Sequence, residues 1–440
     1  MNWHKLLSSQ RTGQQRLTAQ QYRSAFEQDY DRIIFSHPFR RLQDKTQVHP
    51  LPEHDFVHTR LTHSLEVSSV GRSLGKRVGE VILQRHSELN HDFSLFDIGA
   101  IVAAASLAHD LGNPPFGHAG EDAISDFFVS HETGQSFKNK VSEHAWADLS
   151  GFEGNAQGFR ILNQNRFGLK LTYATLGAFT KYPCPALFPQ RDKTKRSQKK
   201  YGFFETERLI FSDVAHQLGL LIDDSRAYHR HPLAFLVEAA DDICYSIIDL
   251  EDGCSLGLVS YNDARTLFES VITRSKDKLG KLDSLTNRAE KIGYLRALAI
   301  ADLMEECTTL FLDNEAAILN GSFDKALCDE CPSSKALKQI IRVSIDNIYC
   351  ARSVVEVEAA GHEVLPGLLQ EFTITGLYIM EGKVSRKYAN LKKLLPLEIV
   401  SAIEGSNDHY LMLRNVVDFV SGLTDRHAIS LYRKIKGMSL

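Results

Sequence analysis

The chain has 440 residues, 51 Lys and Arg against 55 Asp and Glu, a net charge of -4 and a pI near 6.5, so its bulk charge favours neither nucleic acid nor an anionic membrane. Apolar residues make up 43% and charged residues 24%, which excludes a disordered chain and describes one that folds throughout around a large core. The polar N-terminus "MNWHKLLSSQRTGQQRLTAQQYRSAFEQDYDR" is no signal peptide, and no apolar run approaches the roughly 18 residues of a membrane span. A cytoplasmic protein without a membrane partner is expected.

Helical periodicity dominates and alternating strand patterns are scarce, so the expected fold class is all-α. "THSLEVSSVGRSLGKRVGEVILQRH" (62–86) repeats apolar residues three and four apart, as an amphipathic helix does. "LFDIGAIVAAASLAHD" (95–110) is apolar nearly all round, the pattern of a central buried helix. "LGNPP" then stops it, with Gly112 read as a C-terminal cap. Further helices are expected at 154–164, 205–222 and 231–253. Between them "PQRDKTKRSQKKYG" (189–202) sets Arg191, Lys193, Lys195, Arg196, Lys199 and Lys200 against Asp192 alone, which reads either as a solvated mobile loop or as a grip for phosphate. Beyond 257, helical segments alternate with polar turns such as "DKLGKLDSLTNRAE" and "CDECPSSK". Three parts are expected: an N-terminal helical segment (1–50) contributing to the site, a catalytic core (51–255), and a C-terminal helical extension (256–440). The seven cysteines form no disulfide framework, and the one CxxC, Cys328 to Cys331, lacks the second ligand pair of a zinc site and reads as loop thiols.

His109 and Asp110 end the apolar run, where a helix enters the core. The sequence contains two other His-Asp pairs, His54-Asp55 and His91-Asp92, so the pair alone decides nothing. Imidazole and carboxylate are ligands for Mn, Mg, Ni, Fe or Zn, but two adjacent residues cannot complete a site. Other candidates are polar residues within helices expected to be buried, because an unpaired buried charge is costly. His63 opens the amphipathic helix, and Asp241 and Asp242 interrupt the apolar run of 231–253. A His2Asp2 set holding one divalent ion leaves positions open for water and substrate oxygens, as metal-assisted phosphate chemistry requires.

"HTRLTHSLEV", "AHDLGNPPFGHAGEDA", "FEGNAQGFRIL", "LTYATLGAFTKYP" and "EAADDICYSIIDLEDG" resemble, in order, the motifs of bacterial HD-domain deoxyguanosinetriphosphate triphosphohydrolases. "DYDRIIFSHPFRRLQDKTQV" and "GLTDRHAISLYRKIKG" extend the likeness to both ends. The resemblance implies His63, His109, Asp110 and Asp241 as metal ligands. Asp241 is chosen over Asp242 because Asp241, Tyr245 and Asp249 recur every four residues on one helix face. It implies cleavage of a dNTP, with dGTP preferred, into deoxynucleoside and intact triphosphate by water attack at the α-phosphorus. His118 matches the family's catalytic histidine, and Glu121, three residues on, falls where it can orient the imidazole. Arg60, Lys181 and Tyr182, with Lys200, are implied to hold the phosphates, Gln47 the sugar and Asp249 its 3′-hydroxyl. Tyr245 is implied to pack on the nucleotide and Asn155 to lie near the site. A homo-oligomer, dimer or hexamer, and a nucleotide or single-stranded DNA effector are expected partners. Two other readings remain at this point: another HD-type nucleotide phosphohydrolase, or a non-catalytic nucleotide or single-strand sensor. The cyclic-dinucleotide enzymes follow His-Asp with Gly-Tyr-Pro, whereas this chain has Leu-Gly-Asn-Pro.

Overall fold

The computed structural model describes residues 1–13, 22–48, 58–222, 227–383 and 385–438; His54-Asp55 lies outside them. The described residues form helices joined by short loops and isolated bridges, an all-α fold without a β-strand. Two helices build its centre. Helix α1, Arg60–Arg85, starts at a capping box in which Thr59 and Thr62 satisfy each other's backbone N–H groups. Helix α2, Leu95–Ala108, starts at the equivalent box of Ser94 and Asp97, and every residue from Ile98 to Ala108 except Ala100 is buried.

Three glycines at four-residue spacing let α1 and α2 approach closely. A Cβ on Gly71 would lie 2.4 Å from Ser106 Oγ, one on Gly75 would lie 3.0 Å from Gly99 Cα, and one on Gly79 would press on Ile98. Gly71 at mid-helix thus faces the end of α2, so the start of α1 lies beside the residues that follow α2. That packing brings His63 next to His109.

Three more helices complete the frame. Helix α3, Gly117–Ser130, follows the Pro114-Pro115 turn through two left-handed residues, Phe116 (φ 66°) and Gly117 (φ 60°). A non-glycine residue costs of order 1–3 kcal/mol in that conformation. Phe116 N–H is held by Asp425 Oδ1 at 3.1 Å, and its ring packs against Gly361. Helix α4, Gly154–Asn163, lies against residue 112, and helix α5, Pro232–Ser255, starts at Pro232 under the His231 cap and crosses α1 and α2.

Gly112 is not a helix cap. It has no positive φ, and a Cβ there would lie 1.9 Å from the Gly154 carbonyl and 2.2 Å from Gly158 N. Close backbone packing on α4 requires the glycine. The expected 205–222 helix is shorter, Arg208–Leu218, and ends at left-handed Gly219 (φ 69°). Both "turns" of the C-terminal half also contain helix: Lys276–Ser284 is a 3-10 helix, and Leu327–Glu330 a short α-helix. Cys328 and Cys331 are accordingly core thiols, not loop thiols; Cys328 Sγ lies 3.8 Å from Cys307 Sγ. The His91-Asp92 pair is exposed, with Asp92 meeting the exposed His4.

Neither apolar core ends at residue 255. One runs from Trp3 to Ile348, and the other joins residues 116–227 to the helices of 364–432. The C-terminal helices therefore help to shape whatever lies between the two cores. Among the described residues no helix is long and apolar enough to cross a membrane.

Candidate metal centre and cleft

His63 and His109 meet edge to face, with ring centroids 5.3 Å apart. His63, His109 and Asp110, all buried, each offer a ligand atom within 4.8 Å of the others. Asp241 of α5 joins them: its Oδ1 lies 3.3 Å from His63 Nε2 and 3.4 Å from His109 Nε2. His109 Nδ1 sits 2.7 Å from the Ser106 carbonyl. A proton on Nδ1 satisfies that acceptor and leaves Nε2 with a lone pair aimed at the two carboxylates. Among the described residues this buried Nε2 has no hydrogen-bond partner. An orphaned imidazole lone pair, a second imidazole and two carboxylates fit a divalent ion.

The carboxylates are kept ionised. Burial pushes Asp110 up, but Arg60 and a His109 that carries its second proton until an ion replaces it outweigh burial and hold the carboxyl at about 2. Burial likewise opposes the charge on Asp241, and Lys181, with His109 while that ring is protonated, overcomes it. Lys181 Nζ reaches Asp241 Oδ2 at 2.5 Å, and Arg60 Nη1 reaches Asp110 Oδ2 at 2.9 Å. Arg60, expected at the phosphates, is thus committed first to a candidate metal ligand. Asp242, one position round the helix, lines the cleft but touches neither imidazole, and burial beside Glu238 and Asp241 pushes it up to about 7.

These residues form one wall of a cleft of about 430 Å³. Gln47, His118, Asn155, Tyr182, Lys200 and Tyr245 line it too. His118 is exposed at its mouth, with Nδ1 2.8 Å from Glu121 Oε2. The other oxygen of Glu121 accepts from Gly154 N–H at 2.6 Å, so α4 fixes the carboxylate that fixes the imidazole. A Cβ on Gly154 would collide with Glu121 Oε1 and Asn113 Oδ1. Asp122 faces solvent. Lys200 Nζ lies 3.2 Å from Glu153 and 3.9 Å from Glu121, and Asn155 Nδ2 donates to Glu153 at 2.7 Å.

The hydrogen bond that His118 donates to Glu121, against opposing burial, holds the His118 pKa above that of a free histidine. Glu121→Gln removes the negative charge at constant shape, so the imidazolium is stabilised less and the His118 titration moves to lower pH. An NMR titration of the His118 ring protons in both proteins measures it; coincident curves would remove Glu121 from the assignment.

Asp249 departs from expectation. It shares a helix face with Asp241 and Tyr245 but does not line the cleft; it is buried and accepts from the Tyr349 hydroxyl at 2.5 Å. Burial raises its carboxyl to about 7 despite that bond. Tyr349 does line the cleft and stacks on Tyr245 with centroids 5.7 Å apart. Gln47 is positioned from the far end of the chain. Asp425 accepts from Thr46 N–H at 2.9 Å and from Phe116 N–H, while Lys45 Nζ binds the carbonyls of Asn113 and Ser421. One C-terminal carboxylate thereby ties the strand of chain before Gln47 to the turn before His118. Gln47 lines the cleft, and its Oε1 is buried without a partner among the described residues.

Residues 60–147 match the HD domain and residues 332–434 the phosphohydrolase-associated domain. A deoxyguanosinetriphosphate triphosphohydrolase-like protein of Synechocystis sp. is 42% identical over the full length of both chains. The chain belongs to this family. Its relative in Pseudomonas aeruginosa is 37% identical over all of this chain and 99% of its own. The deoxyguanosinetriphosphate triphosphohydrolase of Salmonella paratyphi A is 29% identical over 99% of this chain and 97% of its own. All the ligand candidates except Asp241 fall within the HD match, and the described cleft residues contributed by 349–358 and the Asp425 tie fall within the associated domain. In this chain the two matched regions thus both contribute residues to one cleft.

Proposed function

We propose that the protein hydrolyses a 2′-deoxynucleoside triphosphate, dGTP in preference, to the deoxynucleoside and inorganic triphosphate, with water attacking the α-phosphorus. The observation that carries this reading is the convergence of His63, His109, Asp110 and Asp241 beside the His118–Glu121 pair, in a cleft that also presents Lys181 and Lys200. The four ligands would hold one divalent ion, which when bound supplies Lewis-acid polarisation of an α-phosphate oxygen and acidifies water.

The chain's own residues do the rest. Glu121 holds the His118 ring by Nδ1, which leaves Nε2 to move a proton between the reacting oxygens and solvent. Lys181 and Lys200, now paired with carboxylates, turn toward phosphate oxygens and offset part of the triphosphate charge, and Tyr182 adds a hydroxyl donor. Gln47, in the cleft lining, offers its side-chain amide to a sugar hydroxyl. Tyr245, stacked on Tyr349, gives the nucleoside an aromatic wall. The family relationship supports the substrate class through the relatives' names.

The test is a screen of the four dNTPs and GTP with added Mn, Mg, Ni, Fe or Zn, with products separated by ion-exchange chromatography. One triphosphate per deoxynucleoside, highest kcat/KM for dGTP, and GTP at the background rate are expected. Release of orthophosphate or pyrophosphate would overturn the reading.

A further inference from the structure

The basic segment 189–202 separates into distinct roles once its neighbours are known. Arg191 Nη2 caps the carbonyls of Pro185 and Ala186, at 2.7 and 3.0 Å. Lys193, Lys195 and Lys199 are exposed. Lys200 serves the Glu121–Glu153 pair. Arg196 lines the same cleft as Lys200 but pairs with a different carboxylate.

Its backbone is fixed. Arg196 N–H donates to the Asp324 carbonyl at 3.2 Å, and Ser197 donates to the Asp324 carboxylate through both N–H and hydroxyl. Gln198 Oε1 accepts from Asp192 N–H at 2.7 Å. The side chain is fixed as well. Arg196 Nε donates at 2.8 Å to Oε1 of Glu238, one turn before Asp241 on α5, and Arg230 Nη2 donates at 2.7 Å to Oε2 of the same residue. Glu238 is 1% exposed, so two arginines share one desolvated carboxylate and the trio carries a net positive charge.

Nε alone anchors Arg196. Its two Nη groups have no protein partner among the described residues, and its side chain keeps 21% exposure where it lines the cleft. Arg60, Lys181 and Lys200 face carboxylates of the metal ligand set or of the His118 cluster; the partner of Arg196 belongs to neither. A planar, permanently charged fork with open N–H groups matches two oxygens of one phosphate.

We propose that Arg196 is a substrate-binding residue that grips the triphosphate tail, and that Glu238 is the positioning residue that aims it. This rests on the triphosphohydrolase reading and names one of the groups that hold the leaving triphosphate. Lys193, Lys195 and Lys199 are surface charges.

The test measures equilibrium binding of inorganic tripolyphosphate and, separately, of deoxyguanosine to the full-length protein by titration calorimetry. Arg196→Ala is expected to weaken tripolyphosphate at least about tenfold, the loss of charge-assisted hydrogen bonds, and to leave deoxyguanosine within about twofold. Arg196→Lys, which keeps charge but not the fork, should fall between, and Lys193→Ala should match wild type. Glu238→Gln should weaken tripolyphosphate about threefold but add nothing in the Arg196→Ala background, whereas a merely structural Glu238 would weaken both proteins alike. Tripolyphosphate binding unchanged by Arg196→Ala, absent from wild type, or lost together with deoxyguanosine overturns the proposal. Arg196-dependent binding in a protein that releases no triphosphate from any dNTP would keep Arg196 and refute the activity; release with Arg196-independent binding would refute Arg196 alone.

Discussion

His109→Ala is expected to lower kcat by at least about a thousandfold and to remove the bound metal, because Lewis-acid stabilisation contributes several kcal/mol and each 1.36 kcal/mol is tenfold in rate. His109 is the most exacting of the four ligands. Its Nδ1 is committed to the Ser106 carbonyl, its Nε2 is the buried orphan, and both carboxylates stand within 3.4 Å of that nitrogen. Alanine leaves Asp110 and Asp241 facing each other with Arg60 and Lys181 as their remaining counter-charges. Those two cations keep the fold intact, so the variant should give a wild-type circular dichroism spectrum. Metal per chain, measured by plasma mass spectrometry after dialysis, is expected to fall from one to under about a tenth. Chelation of the wild type should reproduce the loss, and added metal should restore wild type but not the variant. Full metal occupancy in His109→Ala would end the assignment.

The parts of the site that were legible in the sequence lie at helix ends. His63 and His109-Asp110 sit where periodic apolar patterns start and stop, and the structure brings these ends together because Gly71, Gly75 and Gly79 face α2. That four-residue glycine spacing was visible too, yet only the partner helix gives it meaning. Asp249 shows why face arithmetic goes only so far. It lies eight residues from Asp241, about 12 Å along the axis, and by that depth a segment from a hundred residues downstream has closed over it with Tyr349. No local pattern around Tyr349 marks it: residues 345–349 form a π-helical turn, and such turns recur at functional sites but have no spacing signature of their own. Gly112 reads as a cap after an apolar run because that is the commoner use of glycine there, while its real constraint is the backbone of α4. Asp425 belongs to a motif whose likeness to the family was plain; its task of tying the Gln47 and His118 loops together is purely tertiary. The basic segment's charge pattern predicted either solvent or phosphate for all six cations, and burial divides them.

Arg160→Ala is expected to destabilise the protein by about 3–5 kcal/mol, the usual cost of stripping one partner from a buried ion pair. Arg160 lies on α4, and its guanidinium donates to both oxygens of Asp418 at 2.9–3.0 Å and to Glu207 at 2.6 Å. Asp418 lies on the C-terminal helix His409–Ser421, is 4% exposed, and also accepts from Gln157 and Gln164. The pair therefore fastens the helix that carries the Glu121 anchor to the matched C-terminal domain. Burial opposes the Asp418 charge, but Arg160 and the hydrogen bonds outweigh it and leave its pKa below the ordinary range. The sign for pH follows. A folded state that binds fewer protons than the unfolded one gains stability as pH rises, so this contribution is complete above the unfolded carboxylate value near about 4 and is lost as pH falls through the folded one. With Arg160 gone, burial raises the Asp418 pKa, and the variant should be less stable at neutral pH yet lose less on acidification. Urea midpoints at pH 7 and pH 3 measure both effects: wild type and variant should lie far apart at the first and closer together at the second. Equal separation at the two values would show that Arg160 contributes through packing rather than through its charge on Asp418.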